Sequence, residues 1–296
     1  MKKNKHYLSV LAIFRNEEAI LEEWIEHHIA QGVDHFYLIN NSSDDNSLDV
    51  IRKYESLITL KEHNIVTNIS GKIKIAPAQL EGYNEFIHEM DTEWLYVCDL
   101  DEFAYAKNGY STLKDFIEKN GHRFDQVLIK LKQFTSSGII QQPKSVVDNF
   151  IERWDHDVFK YWLIKPIIRH SKINKVNINL AFLKENGITC DAGLTIFNSA
   201  FTNADEYWSH FPYHRNLFSN SVESVLANDY LVSNHYPVQS KEWFFNVKAT
   251  RGTADWPGQD SETTVKNYFQ KYWDKIENKK TISDTELKDI KAEIKK

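Results

Sequence analysis

Three acids crowd into four positions at the end of LYVCDLDEF, residues 95–103: Asp99, Asp101 and Glu102. The run before them suits a buried strand. Side chains alternate along extended backbone, so Asp99 and Asp101 are expected to project to the same side of it. Held together, two carboxylates repel unless a proton, basic side chains or a cation neutralises them. A divalent ion does this economically. Hard oxygen ligands suit Mg²⁺ or Mn²⁺, and such ions usually bind through a few carboxylates plus substrate phosphates. The chemistry expected of this stretch is therefore a metal that grips a diphosphate, for which a nucleotide is the natural carrier.

The elements that must position these acids follow from periodicity. HYLSVLAIF reads as a first strand, and Asn16 is expected to cap a helix with apolar positions at Ile20, Leu21, Trp24, Ile25 and Ile29. HFYLIN reads as a second strand, followed by the polar loop NSSDDNS and the helical spacing Leu48, Ile51, Tyr54. A third apolar segment is expected near Ile65 to Ile69. Pro77 then sits in a first helical turn, ahead of the apolar face Leu80, Tyr83, Phe86, Ile87 and Met90. Strands alternating with helices predict an α/β fold with an open, mostly parallel sheet, in which ligands gather at the carboxyl ends of the strands. Those ends read FRNEE, NNSSDD and CDLDEF. Later, FDQVLIKLKQF and VNINLAFL alternate as strands, and SKEWFFNVKATRG reads as a helix capped by Ser240. The Lys- and Glu-rich tail from about Ser261 is expected to be solvated helix, with a peripheral membrane contact as the alternative.

Composition narrows the classes further. The formal charge of −6 comes from 36 basic and 42 acidic residues spread along 296 positions, which argues against a nucleic-acid partner. Two cysteines without metal-type spacing, Cys98 and Cys190, point to a reduced compartment. The basic, apolar start runs at once into Arg15, Glu17 and Glu18 and reads as a strand, and no run of about 18 apolar residues suggests a membrane span. A cytoplasmic location, possible also at the inner face of a membrane, is the expectation.

Several ordered segments carry a resemblance. FRNEEAILEEWIEHHIAQGVDHFYLINNSSDDNS, QLEGYNEFIHEMDTEWLYVCDLDEF, FTSSG, ERWDHDVFKYWLIKPIIR and NHYPVQSKEWFFNVKATRG follow one another in the order found in glycosyltransferases of the family-2 and family-92 type. The chain resembles those enzymes from about Tyr7 to Gly252. The resemblance implies a Rossmann-like GT-A fold over residues 1–255, with a nucleotide-sugar half at 1–110, an acceptor half at 111–255 and a C-terminal helical extension at 256–296. It also implies transfer of a sugar from a UDP-linked donor to a glycan or glycolipid hydroxyl with Mn²⁺ or Mg²⁺, in surface polysaccharide or lipopolysaccharide synthesis. Asp99 and Asp101 match the D-x-D that holds metal and diphosphate, Glu102 matches the acid after it, and His235 matches a further metal contact. Asn40, Asn41 and Asp45 match the loop near base and ribose. Arg15, Asn16 and Glu17 of the first strand end and Gln79 join the donor side, with Lys165, Arg169 and Arg251 as counter-charges for the diphosphate. Asn40 stands where the family loop usually begins with Asp, and FTSSG departs from F-G-S-S-G.

Inversion at the anomeric carbon needs a base across the sugar from the leaving group. Asp191 in CDAG is the first choice, with Glu102, Asp155 and Asp157 as alternatives. Trp154, Trp162, Trp208 and Tyr213 either stack on acceptor sugars or fill the core. Two other readings stay open: a carbohydrate-binding module with a decayed catalytic site, and a phosphatase using DLDEF as its D-x-D.

Overall fold

The computed structural model describes residues 4–63, 68–69, 72–73, 75–158, 163–177, 181–197, 221–251 and 262–294. Its centre is a ten-stranded sheet. The strands are β1 (His6–Phe14), β2 (His35–Asn40), β3 (Ile58–Glu62), β4 (Thr92–Val97), β5 (Glu102–Ala106), β6 (Gln126–Gln133), β7 (Ile164–Arg169), β8 (Thr189–Asp191), β9 (Ile196–Phe197) and β10 (Leu231–His235). They run in the order β3-β2-β1-β4-β7-β6-β8-β9, and β10 pairs with both β6 and β5. The first half is the parallel sheet that the alternation predicts: β1 pairs in parallel with β2 and β4, and β2 with β3. The second half is mixed, because β7 runs antiparallel to both neighbours while β8 and β10 run parallel to β6.

Alternation along the buried strands feeds two apolar layers. Val10, Ala12, Trp94 and Tyr96 pack with Trp24 and Ile25 of helix α1 (Glu18–Ala30). Leu11, Leu95 and Val97 pack with Tyr83 and Phe86 of α3 (Ile75–Phe86), and α2 (Ser47–Lys53) adds Val50 and Ile51 to the first layer. Two local expectations shift. Asn16 does not cap α1; its backbone is left-handed at φ 55, and the donors of Glu17 and Glu18 go to Ser47 Oγ at 3.0 Å and Asp45 Oδ2 at 2.9 Å. The third strand forms at Ile58–Glu62, ahead of the expected stretch, of which 68–69 instead pairs with 72–73. VNINLAFL contributes to a two-stranded ribbon of Ile173–Val176 with Ala181–Leu183.

The tail is not solvated helix. Beyond α4 (Leu113–Asn120), α5 (Val222–Asn228) and α6 (Lys241–Trp243, continued by a π-helical turn over Phe244–Lys248), helix α7 (Glu262–Glu277) buries Phe269 and Ile276 against Trp154, Trp243 and Phe244. Thr281–Ser283 then pairs antiparallel with Glu152–Trp154, and α8 (Glu286–Ile294) buries Leu287 in the main core. Most of the charged residues that suggested solvation lie on the outer faces of these helices, while Glu277 and Glu286 face inward and accept from Ser136 and from Lys132 and Tyr105. No described helix is long and apolar enough to cross a membrane.

Candidate active site

The D-x-D lies in a turn, not on extended backbone: β4 stops at Val97, β5 starts at Glu102, and the Glu102 N–H donates to the Asp99 carbonyl at 3.1 Å. The period-two expectation fails for that reason, and the two aspartates take different partners. Asp99 accepts from Lys165 Nζ at 2.8 Å and from Gln79 Nε2 at 3.1 Å. Gln79 also donates to the Tyr83 hydroxyl, which in turn accepts from the Ile13 N–H, so α3 and β1 fix its position. Asp101 faces Lys248 Nζ at 2.8 Å and His235 Nε2 at 3.5 Å.

Strand register delivers the histidine. In the β5–β10 ladder His235 lies opposite Glu102, and the Tyr236 N–H donates to the Asp101 carbonyl at 2.8 Å. Asp101, Glu102 and His235 thereby offer ligand atoms that all lie within 4.8 Å of one another, in buried surroundings. His235 Nδ1 faces Gln133 Oε1 at 3.1 Å, since Gln133 is its partner in the β6–β10 ladder. A proton on Nδ1 then donates to Gln133, and Nε2 turns a lone pair toward Asp101 Oδ1, leaving two acceptors facing each other with room for a cation between. A ring nitrogen anchored through its other nitrogen is the usual state of a metal-binding histidine. Two carboxylate oxygens and an imidazole nitrogen make a donor set that suits a divalent metal.

Burial works against a charged Asp101, but the Lys248 ammonium beside it outweighs that and holds its carboxyl far below the usual carboxylate range. Burial pushes the Glu102 carboxyl well up, and Asp99 and Asp101 reinforce this against the opposing pull of Lys165 at 3.5 Å. Lys165, itself buried, is held protonated because Asp99 and Glu102 overcome its desolvation. Burial also pushes the Cys98 thiol well up, so this neighbour is no nucleophile.

Other sequence candidates lie elsewhere. Arg169 is four residues beyond Lys165 on β7, about 13 Å along extended backbone; it stacks on Trp94 at 4.3 Å and reaches Glu93, Asp125 and the Gly121 carbonyl. Its guanidinium is thus engaged away from Asp99 and Lys165. Asp191 accepts from the N–H groups of Gly193 and Thr195 and lies 3.9 Å from Lys130, on the face of β6 opposite Gln133. It shapes its own turn and does not join the acids around Asp101. Asp155 pairs with Lys280, Asp157 accepts from the Glu223 N–H, and Trp154 donates to the Ile276 carbonyl from the core. Asn40 donates to Glu62 Oε2 at 2.8 Å and accepts from the Ser43 N–H, the Asn41 N–H reaches the Phe14 carbonyl, and Asp45 and Asn16 brace the same loop. Arg15 is half-buried and Glu17 buried at that strand end. Trp162, Trp208, Tyr213 and the Arg251 side chain lie outside the described residues.

Two residues at the centre carry no role in the sequence reading: Lys248, inside NVKATRG, and Gln133, the polar last residue of the buried strand QVLIKLKQ. That polar end on a buried strand is the only sequence signal for Gln133. A cavity of about 390 Å³ lined by Lys107, Lys132, Arg153, Asp284 and Glu286 lies on the other side of the sheet, where these charges already pair with one another.

A model of glycosyltransferase family 92 matches residues 5–296. The chain belongs to glycosyltransferase family 92. A family 92 protein of Ricinus communis is 27% identical over 202 residues, 65% of this chain and 35% of that protein. One from Oryza sativa subsp. japonica is 26% identical over 148 residues, 49% of this chain and 24% of the other. The chain thus spans about a third or less of these relatives' length. Among solved structures, Staphylococcus aureus TarS 1-349 in complex with UDP aligns at TM-score 0.36 and 18% identity, covering 56% of this chain and 47% of that one. Glucosyl-3-phosphoglycerate synthase from Mycobacterium tuberculosis, in complex with Mn²⁺, UDP and glucosyl-3-phosphoglycerate, aligns at TM-score 0.30 and 12% identity, covering 43% and 45%.

Proposed function

We propose that this family 92 chain is a metal-dependent glycosyltransferase that moves a sugar from a nucleotide diphosphate donor, UDP-linked, to a glycan hydroxyl. The observation that carries it is the convergence of Asp101, Glu102 and His235 from two adjacent strands, with His235 anchored by Gln133. The bound metal would offset charge developing on the leaving diphosphate. Asp101, Glu102 and His235 would hold it. Lys165, one side chain away and fixed by Asp99, supplies a second positive charge to the diphosphate. Gln79 keeps Asp99 turned toward that lysine. Glu102, buried at 1% exposure, serves as a ligand rather than as the base for an acceptor hydroxyl. The reading extends to inversion at the anomeric carbon and to acceptors of a surface glycan, on family resemblance.

The test is release of UDP from a panel of UDP-sugars with Mn²⁺. The expected result is turnover of one donor, lost in excess EDTA and reduced about a hundred- to a thousandfold in Asp101→Asn, the scale for removing a main electrostatic stabiliser. Equal turnover in EDTA would remove the metal from the mechanism. Glycan binding with no turnover of any donor would favour a binding module.

A further inference from the structure

Each aspartate of the D-x-D has its own buried lysine: Asp99 pairs with Lys165 at 2.8 Å and Asp101 with Lys248 at 2.8 Å. Lys248 is 8% exposed, so its ammonium has little water to fall back on. It takes one of the two oxygens of Asp101, the very carboxylate that the metal needs; His235 faces the other. It also projects from the last residue of a π-helical turn, over the Trp243 ring at 5.9 Å. Such turns widen the helix by one residue and occur frequently at functional sites.

We propose that Lys248 is a resident counter-cation of Asp101 that the divalent ion displaces, and that the displaced ammonium then closes onto the donor's diphosphate. The inference rests on the metal-site reading above and adds an order to it. A divalent ion arriving alone must evict a buried ammonium, which is costly while Asp101 is its carboxylate partner among the described residues. Metal without nucleotide therefore binds weakly. A diphosphate carried in with the metal supplies the missing anion, so metal and nucleotide bind cooperatively. Lys248 then joins Lys165 in holding the diphosphate, so the ammonium that neutralises Asp101 becomes part of the donor grip.

The experiment follows Mn²⁺ binding by the free-ion electron paramagnetic resonance signal, with and without UDP. In Lys248→Met, Mn²⁺ alone is expected to bind about tenfold tighter than in wild type, while UDP in saturating Mn²⁺ binds about tenfold weaker, within the usual range of coupling between sites. Unchanged or weaker Mn²⁺ binding in a folded Lys248→Met, checked by its melting curve, overturns the proposal. The wild-type chain gives a second, independent readout by mass-spectrometric reductive methylation. Lys248 labelling is expected to be low without metal, to rise with Mn²⁺ alone and to fall again with Mn²⁺ plus UDP; labelling that does not rise with Mn²⁺ overturns the displacement step. Asp101→Asn separates the two levels. If it binds Mn²⁺ as wild type does, the metal-site reading fails; if it does not, while Lys248→Met is unchanged from wild type, only the displacement fails.

Discussion

At the scale of single residues, the central feature is a histidine with its two nitrogens assigned different jobs. Gln133 accepts from Nδ1 and thereby turns Nε2 toward Asp101, and the other amide atom of Gln133, Nε2, is buried with no partner among the described residues. Removing that amide leaves the fold little to lose, because the loss of one bond is offset by relief of an unsatisfied donor. Gln133→Leu is expected to melt within a few degrees of wild type yet bind Mn²⁺, in the presence of UDP, about 10- to 100-fold more weakly, the usual penalty for losing a supporting contact behind a metal ligand. A titration showing unchanged affinity would mean that the ring is held by the sheet alone. Asp99 and Asp101 show the limit of reading such residues from spacing. The pair was legible as a chemical motif, but the geometry expected from strand alternation does not apply in a turn, where each carboxylate is assigned its partner by a different element.

At the scale of elements, the C-terminal segment is a strap bound to the sheet by buried charge. Asp284, at the end of the strand that pairs with Glu152–Trp154, receives Arg153 Nε at 2.6 Å and Lys132 Nζ at 2.9 Å. Glu286 receives Lys132 at 2.7 Å and the Tyr105 hydroxyl at 2.7 Å. Burial disfavours the charged form of Asp284, yet Lys132 and Arg153 lower its carboxyl from 3.8 to about 2. A depressed carboxylate stabilises the fold above its unfolded value, near pH 4, and that stabilisation disappears as the pH falls toward 2. The drop is roughly 2 kcal/mol across that window. Melting curves from pH 5 to pH 2 are expected to fall steeply in wild type and less steeply in Asp284→Asn, which starts lower because it leaves two buried cations short of a partner. Parallel slopes would show that other carboxylates govern acid unfolding. The strap escaped the sequence reading because its Lys and Glu content dominates its composition, while Phe269, Ile276 and Leu287, which attach it, are sparse and spaced at helical intervals.

At the scale of the whole molecule, the regular first half of the sheet was readable because each buried strand and its helix are contiguous in sequence, as HYLSVLAIF and the helix after it illustrate. The site itself is not contiguous. Glu102 and His235 meet through the pairing of β5 with β10, and Lys248 reaches Asp101 across 147 positions, distances that no local period encodes. The distance between Arg169 and Lys165 could have been read locally, since four residues of strand set them about 13 Å apart. Asp191 could not have been excluded in that way, because which face of β6 it meets depends on register with a strand some sixty residues earlier. Family 92 membership and the converging Asp101, Glu102 and His235 together make one central claim, that these three side chains hold the divalent ion that grips the donor. The most direct measurement is anomalous diffraction from crystals of the full chain soaked with Mn²⁺ and UDP. The expected result is a manganese peak bonded to Asp101 and His235, with the UDP diphosphate on its open side and Lys165 beside it. UDP bound with no peak at these residues, or a peak bonded to other side chains, would contradict it.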